Sequence, residues 1–377
     1  MSAPAKRGPF PRLAAFQTAH VDERLDALLV THGPNVFYLT GFRGSAGMLL
    51  VQSDTASLIV DSRYVTLARE LLDHSHDEAA IELVEVERSY EETVAELVRR
   101  HRPRRVGFEA AHTTVSQYEW WCRALDDTEI HLERTTNLVE MARLVKDAEE
   151  ISTLREAGVR IAGVMRDIRS RLTPGQSERE IAADVDWAIR VAGFEGPAFD
   201  TIVATGPNTA LPHARPGPRR LVSGDLVLLD FGGVLDGYCV DVTRVVSLGP
   251  PPEAVRRWHQ AVREAHDAAL AAVVPGVLPT HVDHAARTVL EHHGMGDAFG
   301  HGTGHGLGIE VHEAPRLGKP RAQSDAEETA LEPGVVFTVE PGVYFAGEGG
   351  IRLEDDVVVT DTGYELLTDM SLDLIVV

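Results

Sequence analysis

The sequence predicts an α+β protein of two domains, the larger built from two related halves. Three observations predict it. Strand-like and helix-like runs alternate over the first part of the chain, and from Leu144 apolar residues recur at helical spacing instead. A common order of signals follows Pro174-Gly175 and Pro275-Gly276. The length of 377 residues suits two domains. The expected boundary gives a small α/β domain over residues 1–143 and a larger domain over 144–377.

In the small domain, Leu25 to Val30, Met48 to Gln52 and Ser57 to Val60 read as strands. Thr40 to Gly47, TGFRGSAG, is a glycine-rich turn. Its Ser45 is outside a G-x-S-x-G elbow and is not read as a nucleophile. Tyr90 to Arg99 reads as a helix. No chemistry is evident here.

The large domain opens with a long helix. Ile151, Leu154, Ile161, Val164, Ile168 and Leu172 share one face, and Thr173-Pro174-Gly175 ends it. Ser177 and Glu180 form a capping box for the next helix, which stops near Gly193. The repeat then emerges. Gly175 precedes Ile181 and Gly193 by the same spacings that separate Gly276 from Val282 and Gly294. Gly224 leads Asp230 as Gly334 leads Glu340, and VDVTRVV aligns with LEDDVVV, matching Asp241 to Glu354. Each half thus supplies two carboxylates at equivalent places.

The composition bounds the function. With 36 basic and 58 acidic residues the net charge is −22, which repels phosphate backbones and argues against nucleic acid. Cys122 and Cys239 are the only cysteines, too few for a zinc-finger or disulfide framework. No stretch is apolar for long enough to span a bilayer, and MSAPAKRGPFPRLAAF lacks the apolar run of a leader. A cytoplasmic location without membrane partners is expected.

The chemistry lies in Asp230, Asp241, His305, Glu340 and Glu354, in the segments LLDFGG, CVDVTR, GHGTGHGLG, TVEPGVYF and IRLEDD. Four carboxylates and one imidazole suit two divalent cations sharing bridging carboxylates. Such a pair activates a water as a hydroxide nucleophile near neutral pH. Asp236-Gly237 is a hairpin turn, and pairing about it sets Asp230 opposite Thr243 with Asp241 a diagonal neighbour. An ion pair with Arg352 or Lys319 is the competing account of the two glutamates. Glycines around His301 and His305 suggest close approach of backbone and substrate, not a dinucleotide loop. One histidine should bind metal. The others, including His312, are available to a scissile carbonyl. His213, in LPHARP, can reach the site mouth. His281, His284, His292 and His293 read as a solvated helix face.

The order of Asp230 and Asp241, HGTGHGLG with a following HE, VEPGVYF and IRLEDD resembles the Xaa-Pro peptidases of the pita-bread metallopeptidases, aminopeptidase P and prolidase among them. RLDALLVTHGPNVFYLTGFRGSAG is similar to a creatinase-type N-terminal domain, and LVKDAEEISTLREAG to the helix opening the catalytic domain. The resemblance implies a pita-bread pseudo-symmetric catalytic domain behind a smaller α/β creatinase-type domain. It implies metal ligands at Asp230, Asp241, His305, Glu340 and Glu354, with Asp241 and Glu354 bridging and Glu340 also relaying a proton. It places His301 and His312 at the tetrahedral intermediate, His213 in the pocket, and Arg316 near a substrate carboxylate. The cofactor implied is two divalent ions, usually Mn2+, though the donors also admit Zn2+ or Co2+.

The activity implied is hydrolysis of the bond between an N-terminal residue and proline by a hydroxide activated at the metal pair. The partners are then short peptides with proline second, and a homodimer is expected. A methionine aminopeptidase-like hydrolase is disfavoured by the N-terminal domain. A creatinase-like hydrolase is disfavoured by the full ligand set, as is a non-enzymatic pita-bread binding protein. Dipeptide and longer substrates both stay open.

Overall fold

A computed structural model describes residues 10–20, 25–74, 81–320 and 328–377. The reading of the first nine residues as no leader lies outside them. The chain divides into two compact units, Met1–Arg143 and Leu144–Val377.

In the first unit the elements are α1 (Pro11–His20), β1 (Ala27–Val30), α2 (Gly33–Thr40), β2 (Met48–Gln52), β3 (Ala56–Val60), α3 (Val65–His74), β4 (Ile81–Glu85), α4 (Tyr90–His101), β5 (Arg105–Glu109), α5 (Val115–Ala124), β6 (His131–Thr135) and α6 (Leu138–Leu144). The strands form one mixed sheet in the order β4-β3-β2-β1-β5-β6. The three central strands are nearly all apolar because both faces are covered. Leu28, Val30, Leu49 and Leu58 pack with Leu13, Val36 and Leu39 of α1 and α2. Leu29, Leu50 and Ile59 pack with Val94, Val98 and Trp121 of α4 and α5.

The second unit shows the repeat. Its first half comprises α7 (Ala148–Arg171), α8 (Glu178–Val191), β7 (Gly196–Pro197), β8 (Ile202–Thr205), β9 (Leu226–Leu235) and β10 (Tyr238–Ser247). The second half comprises α9 (Glu253–Ala271), α10 (Pro279–His292), β11 (Gly304–Gly306), β12 (Glu313–Leu317), β13 (Val336–Val339), β14 (Gly342–Phe345), β15 (Gly349–Arg352) and β16 (Asp355–Val359). The short β17 (Tyr364–Leu366) and β18 (Ile375–Val376) follow. In the first half, Ile161, Met165, Ile181 and Val185 of α7 and α8 cover Leu229, Phe231, Val240 and Val242. In the second, Ala261, Ala265, Val282 and Ala286 of α9 and α10 cover Phe337, Val339, Val357 and Val359. Gly175 and Gly276, Gly193 and Gly294, and Gly224 and Gly334 all have positive φ, so the repeat preserves backbone turns as well as residue types. The halves meet where Thr243 of β10 bridges Glu354, just before β16.

The long helix differs from the sequence expectation at its start. Residues 138–144 form the separate α6, and α7 begins at Ala148. Between them Val145 pairs with Val335 and the Lys146 amide donates to Gly334, so the backbone is extended there. Asp147 then caps α7 in a capping box with Glu150. The Ser177–Glu180 box opens α8 as expected.

Candidate metal centre

β9 and β10 are joined by Asp236 and Gly237, with φ 48° and 82°, so the two-residue turn matches the strand twist. Their register places Asp230 opposite Thr243 and Asp241 opposite Gly232. β13 pairs with β16, Val339 opposite Asp355, which brings Glu340 and Glu354 to the same end of that pair. β11 lies beside β13 and carries His305. Asp230, Asp241, His305, Glu340, Glu354, His213, His301, His312 and Arg316 all line one cavity of about 610 Å³.

The five predicted ligands are not equivalent. Asp241, His305 and Glu354 offer ligand atoms within 4.8 Å of one another. The His305 Nε2 lies 3.5 Å from Glu340 Oε1 and 4.0 Å from Asp241 Oδ2. Its Nδ1 lies 3.0 Å from the Gly306 carbonyl, so this nitrogen carries the proton and Nε2 keeps its lone pair toward the carboxylates. Burial holds the His305 pKa below its usual value, which favours the neutral, ligating form.

Asp230 is engaged differently. Its Oδ2 accepts from Arg352 Nη2. The Arg352 ion pair weighed as the competing account of the glutamates therefore falls on an aspartate instead, because β15 sets the guanidinium beside β9. Arg352 also donates from Nε to Thr243 Oγ1 at 3.2 Å and from Nη1 to the Tyr344 hydroxyl at 2.7 Å. That hydroxyl lies 3.0 Å from His301 Nε2, and His301 Nδ1 lies 2.7 Å from the Gly302 carbonyl. Burial pushes the Tyr344 pKa up to about 12, so it stays protonated and donates to His301. Asp230, Arg352, Tyr344 and His301 thus form one polar chain along the cavity wall. His301 is held within it, whereas exposed His312 makes no hydrogen bond among the described residues, and its ring lies 4.2 Å from that of His305.

The electrostatics fit a cation. Asp241 Oδ1 is buried without a hydrogen-bond partner among the described residues. Burial and then neighbouring carboxylates push the pKa of Asp241 and of Glu354 well above the usual range. Carboxylates crowded out of water in this way are stabilised by a divalent ion, and oxygen donors with one imidazole are a suitable set.

Sequence reasoning singled out neither Tyr344 nor Thr243 as a site group, although Thr243 Oγ1 donates to Glu354 Oε2 at 2.5 Å. It also missed Lys146, whose Nζ lies 2.7 Å from Glu313 Oε1 beside His312. Tyr344 sits inside the VEPGVYF segment, and that proximity was the available signal.

Residues 152–361 match metallopeptidase family M24, and residues 12–145 match the creatinase/prolidase N-terminal domain. The chain is 37% identical over 352 residues to the uncharacterized peptidase YqhT of Bacillus subtilis, covering 93% of this chain and 96% of that one. It is 31% identical over 356 residues to a Xaa-Pro dipeptidase of Pyrococcus furiosus, covering 94% and 96%. Among solved structures, the Xaa-Pro dipeptidase from Bacillus anthracis superposes with a TM-score of 0.87 at 34% identity, covering 98% and 99%. The X-Pro aminopeptidase from Thermotoga maritima gives 0.83 at 34% identity, covering 94% and 98%.

Proposed function

This chain belongs to metallopeptidase family M24 and is a metallo-exopeptidase, and on that footing we propose that it removes an N-terminal residue from peptides with proline in second place. The observation that carries the proposal is the convergence of Asp241, His305 and Glu354 in a cavity that also receives three further histidines and three arginines. Relatives named for Xaa-Pro cleavage, alike over nearly the whole chain, support the specificity.

Asp230, Asp241, His305, Glu340 and Glu354 would hold two divalent ions, for which Mn2+ is our choice. Bound there, the ions supply a Lewis acid and a water that is nucleophilic near neutral pH. The chain's own groups do the rest. Glu340 is 17% exposed, against 9% for Asp230 and 7% for Asp241, and so faces the cavity most openly. It takes the proton of the attacking water and delivers it to the departing proline nitrogen. His312, with its ring nitrogens uncommitted, donates to the carbonyl oxygen as negative charge develops. His301, set by Tyr344, shapes the wall beside it. His213 meets the peptide at the mouth, and Arg316 meets a terminal carboxylate. A cytoplasmic homodimer belongs to the same reading. No helix among the described residues is long and apolar enough to cross a membrane.

The test is cleavage of Ala-Pro and Ala-Pro-Ala with Mn2+, with EDTA as control. Hydrolysis of either that EDTA abolishes is the expected result. Cleavage of the dipeptide alone assigns a prolidase, and cleavage of the tripeptide an aminopeptidase P. Cleavage of neither with metal present refutes the specificity and turns attention to other amides.

A further inference from the structure

The segment between β8 and β9 brings His213 and Arg215 to the cavity. Both side chains are exposed, while Ala214 between them is buried in the core. Pro212, Pro216 and Pro218 restrict the backbone around them. Such a loop needs an anchor at each end, and here both ends bond to one carboxylate outside the cavity lining.

That carboxylate is Glu178, the first residue of α8, with 1% of its surface exposed. Its Oε1 accepts from the Thr205 amide, the Thr205 hydroxyl and the Asn208 side-chain amide, each at 2.9 Å. Its Oε2 accepts from the Gly217 amide at 2.8 Å. Thr205 and Asn208 precede His213, and Gly217 follows Arg215, so one side chain closes the loop at its base. Four donors satisfy a buried anion that would otherwise be costly, and the start of α8 adds a favourable dipole. Glutamine is nearly the same shape but has one acceptor oxygen. Its NH2 would then meet an N–H donor at one of the two anchors. The Glu178 and Arg179 amides donate separately to the Arg219 and Gly217 carbonyls, so the return segment stays attached to α8 without the carboxylate.

We propose that Glu178 is a positioning residue for His213. It holds the closed base of the loop so that the imidazole stands at the mouth of the cavity. The proposal rests on the reading that His213 contacts the peptide. Two measurements test it in metal-loaded enzyme. In Glu178→Gln, hydrogen exchange across residues 205–217 accelerates roughly 10-fold or more while α9 and α10 are unchanged, as expected for a local opening. For whichever proline peptide the wild type cleaves, kcat/KM falls about 100-fold, the scale of a ~1 Å misplacement. The discriminating readout is a cycle with His213→Ala. The penalty for losing the imidazole shrinks by about 10-fold in the Glu178→Gln background, because the ring there is already misplaced. A purely structural Glu178 gives equal penalties in both backgrounds, and that result overturns the proposal, as does unchanged exchange. If Glu178→Gln does not fold, Asn208→Ala removes one donor and enters the same cycle with the same criterion. If the wild type cuts no proline peptide, the specificity reading fails by itself and the exchange result decides the loop clamp.

Discussion

Gly304→Ala is the sharpest test of how the metal centre is built. A Cβ at Gly304 would stand 1.8 Å from the Thr338 carbonyl oxygen, where ordinary contact begins at 3.4 Å. The oxygen is backbone and the Cβ position is fixed by the backbone, so no side-chain rotation relieves the clash. β11 and β13 must separate by roughly 1.5 Å at that point to restore van der Waals distance. His305 is the next residue, and its amide donates to Thr338 Oγ1 at 3.2 Å. The imidazole therefore moves with β11, away from Glu340 on the β13 side. A displacement of that size costs about 100-fold in kcat/KM. Overpacking of about 1–3 kcal/mol lowers Tm by roughly 2–12 °C for a unit of this length. Gly300→Ala is the matched control in the same glycine-histidine motif, because nothing lies within 4 Å of its Cβ position. The assays are Mn2+ titration calorimetry on EDTA-treated protein, thermal unfolding and proline-peptide hydrolysis. Wild-type metal affinity and activity in Gly304→Ala would show that strand spacing does not set the ligand geometry.

Other outcomes follow from single contacts. Glu313→Gln leaves the Lys146 ammonium buried without its carboxylate, the pair being 1% and 9% exposed. We expect a loss of about 3–5 kcal/mol, seen as a Tm drop of roughly 6–20 °C, and a shift below ~2 °C would refute it. In EDTA, the Asp241 carboxyl has its folded pKa raised above the ordinary 3.8 by burial and by neighbouring carboxylates. The folded state then binds the proton more tightly than the unfolded state, so this stability is present at low pH and is lost as pH rises. Asp241→Asn should therefore gain on the wild type, in Tm, as pH rises above about 4, and an excess of Mn2+ should reverse the order. A pH-independent difference contradicts this. Arg316→Ala should raise KM for Ala-Pro about 10-fold or more without changing it for Ala-Pro-amide, and equal effects on both would remove its carboxylate role.

Much of the centre was legible because Asp230 and Glu340 each follow an apolar run, where an acid needs a special reason. The Asp236-Gly237 turn fixed the register and with it the place of Asp230 opposite Thr243. The repeat was visible because its glycines recur where φ must be positive. What escaped notice depends on tertiary approach. Glu178 looks like one more acid in the first turn of a helix, and its partners come much later in the chain. Lys146 and Glu313 are 167 residues apart, and no local pattern joins them. In the first unit, β4 and β6 are edge strands with exposed positions, so they lack the apolar runs that revealed β2 and β3.

The bridge between Thr243 and Glu354 has a thermodynamic consequence. Asp241 comes from one side of that seam, and His305 and Glu354 come from the other. An ion held by all three would act as a rivet across the seam, and its binding energy would oppose separation of the halves more than unfolding within either. At a free ion concentration 100 times Kd the rivet contributes about 2.7 kcal/mol. The loaded protein should then melt as a single cooperative block at a temperature that climbs with the logarithm of ion concentration. Neither half, expressed alone, could reproduce that dependence, because each owns only part of the grip.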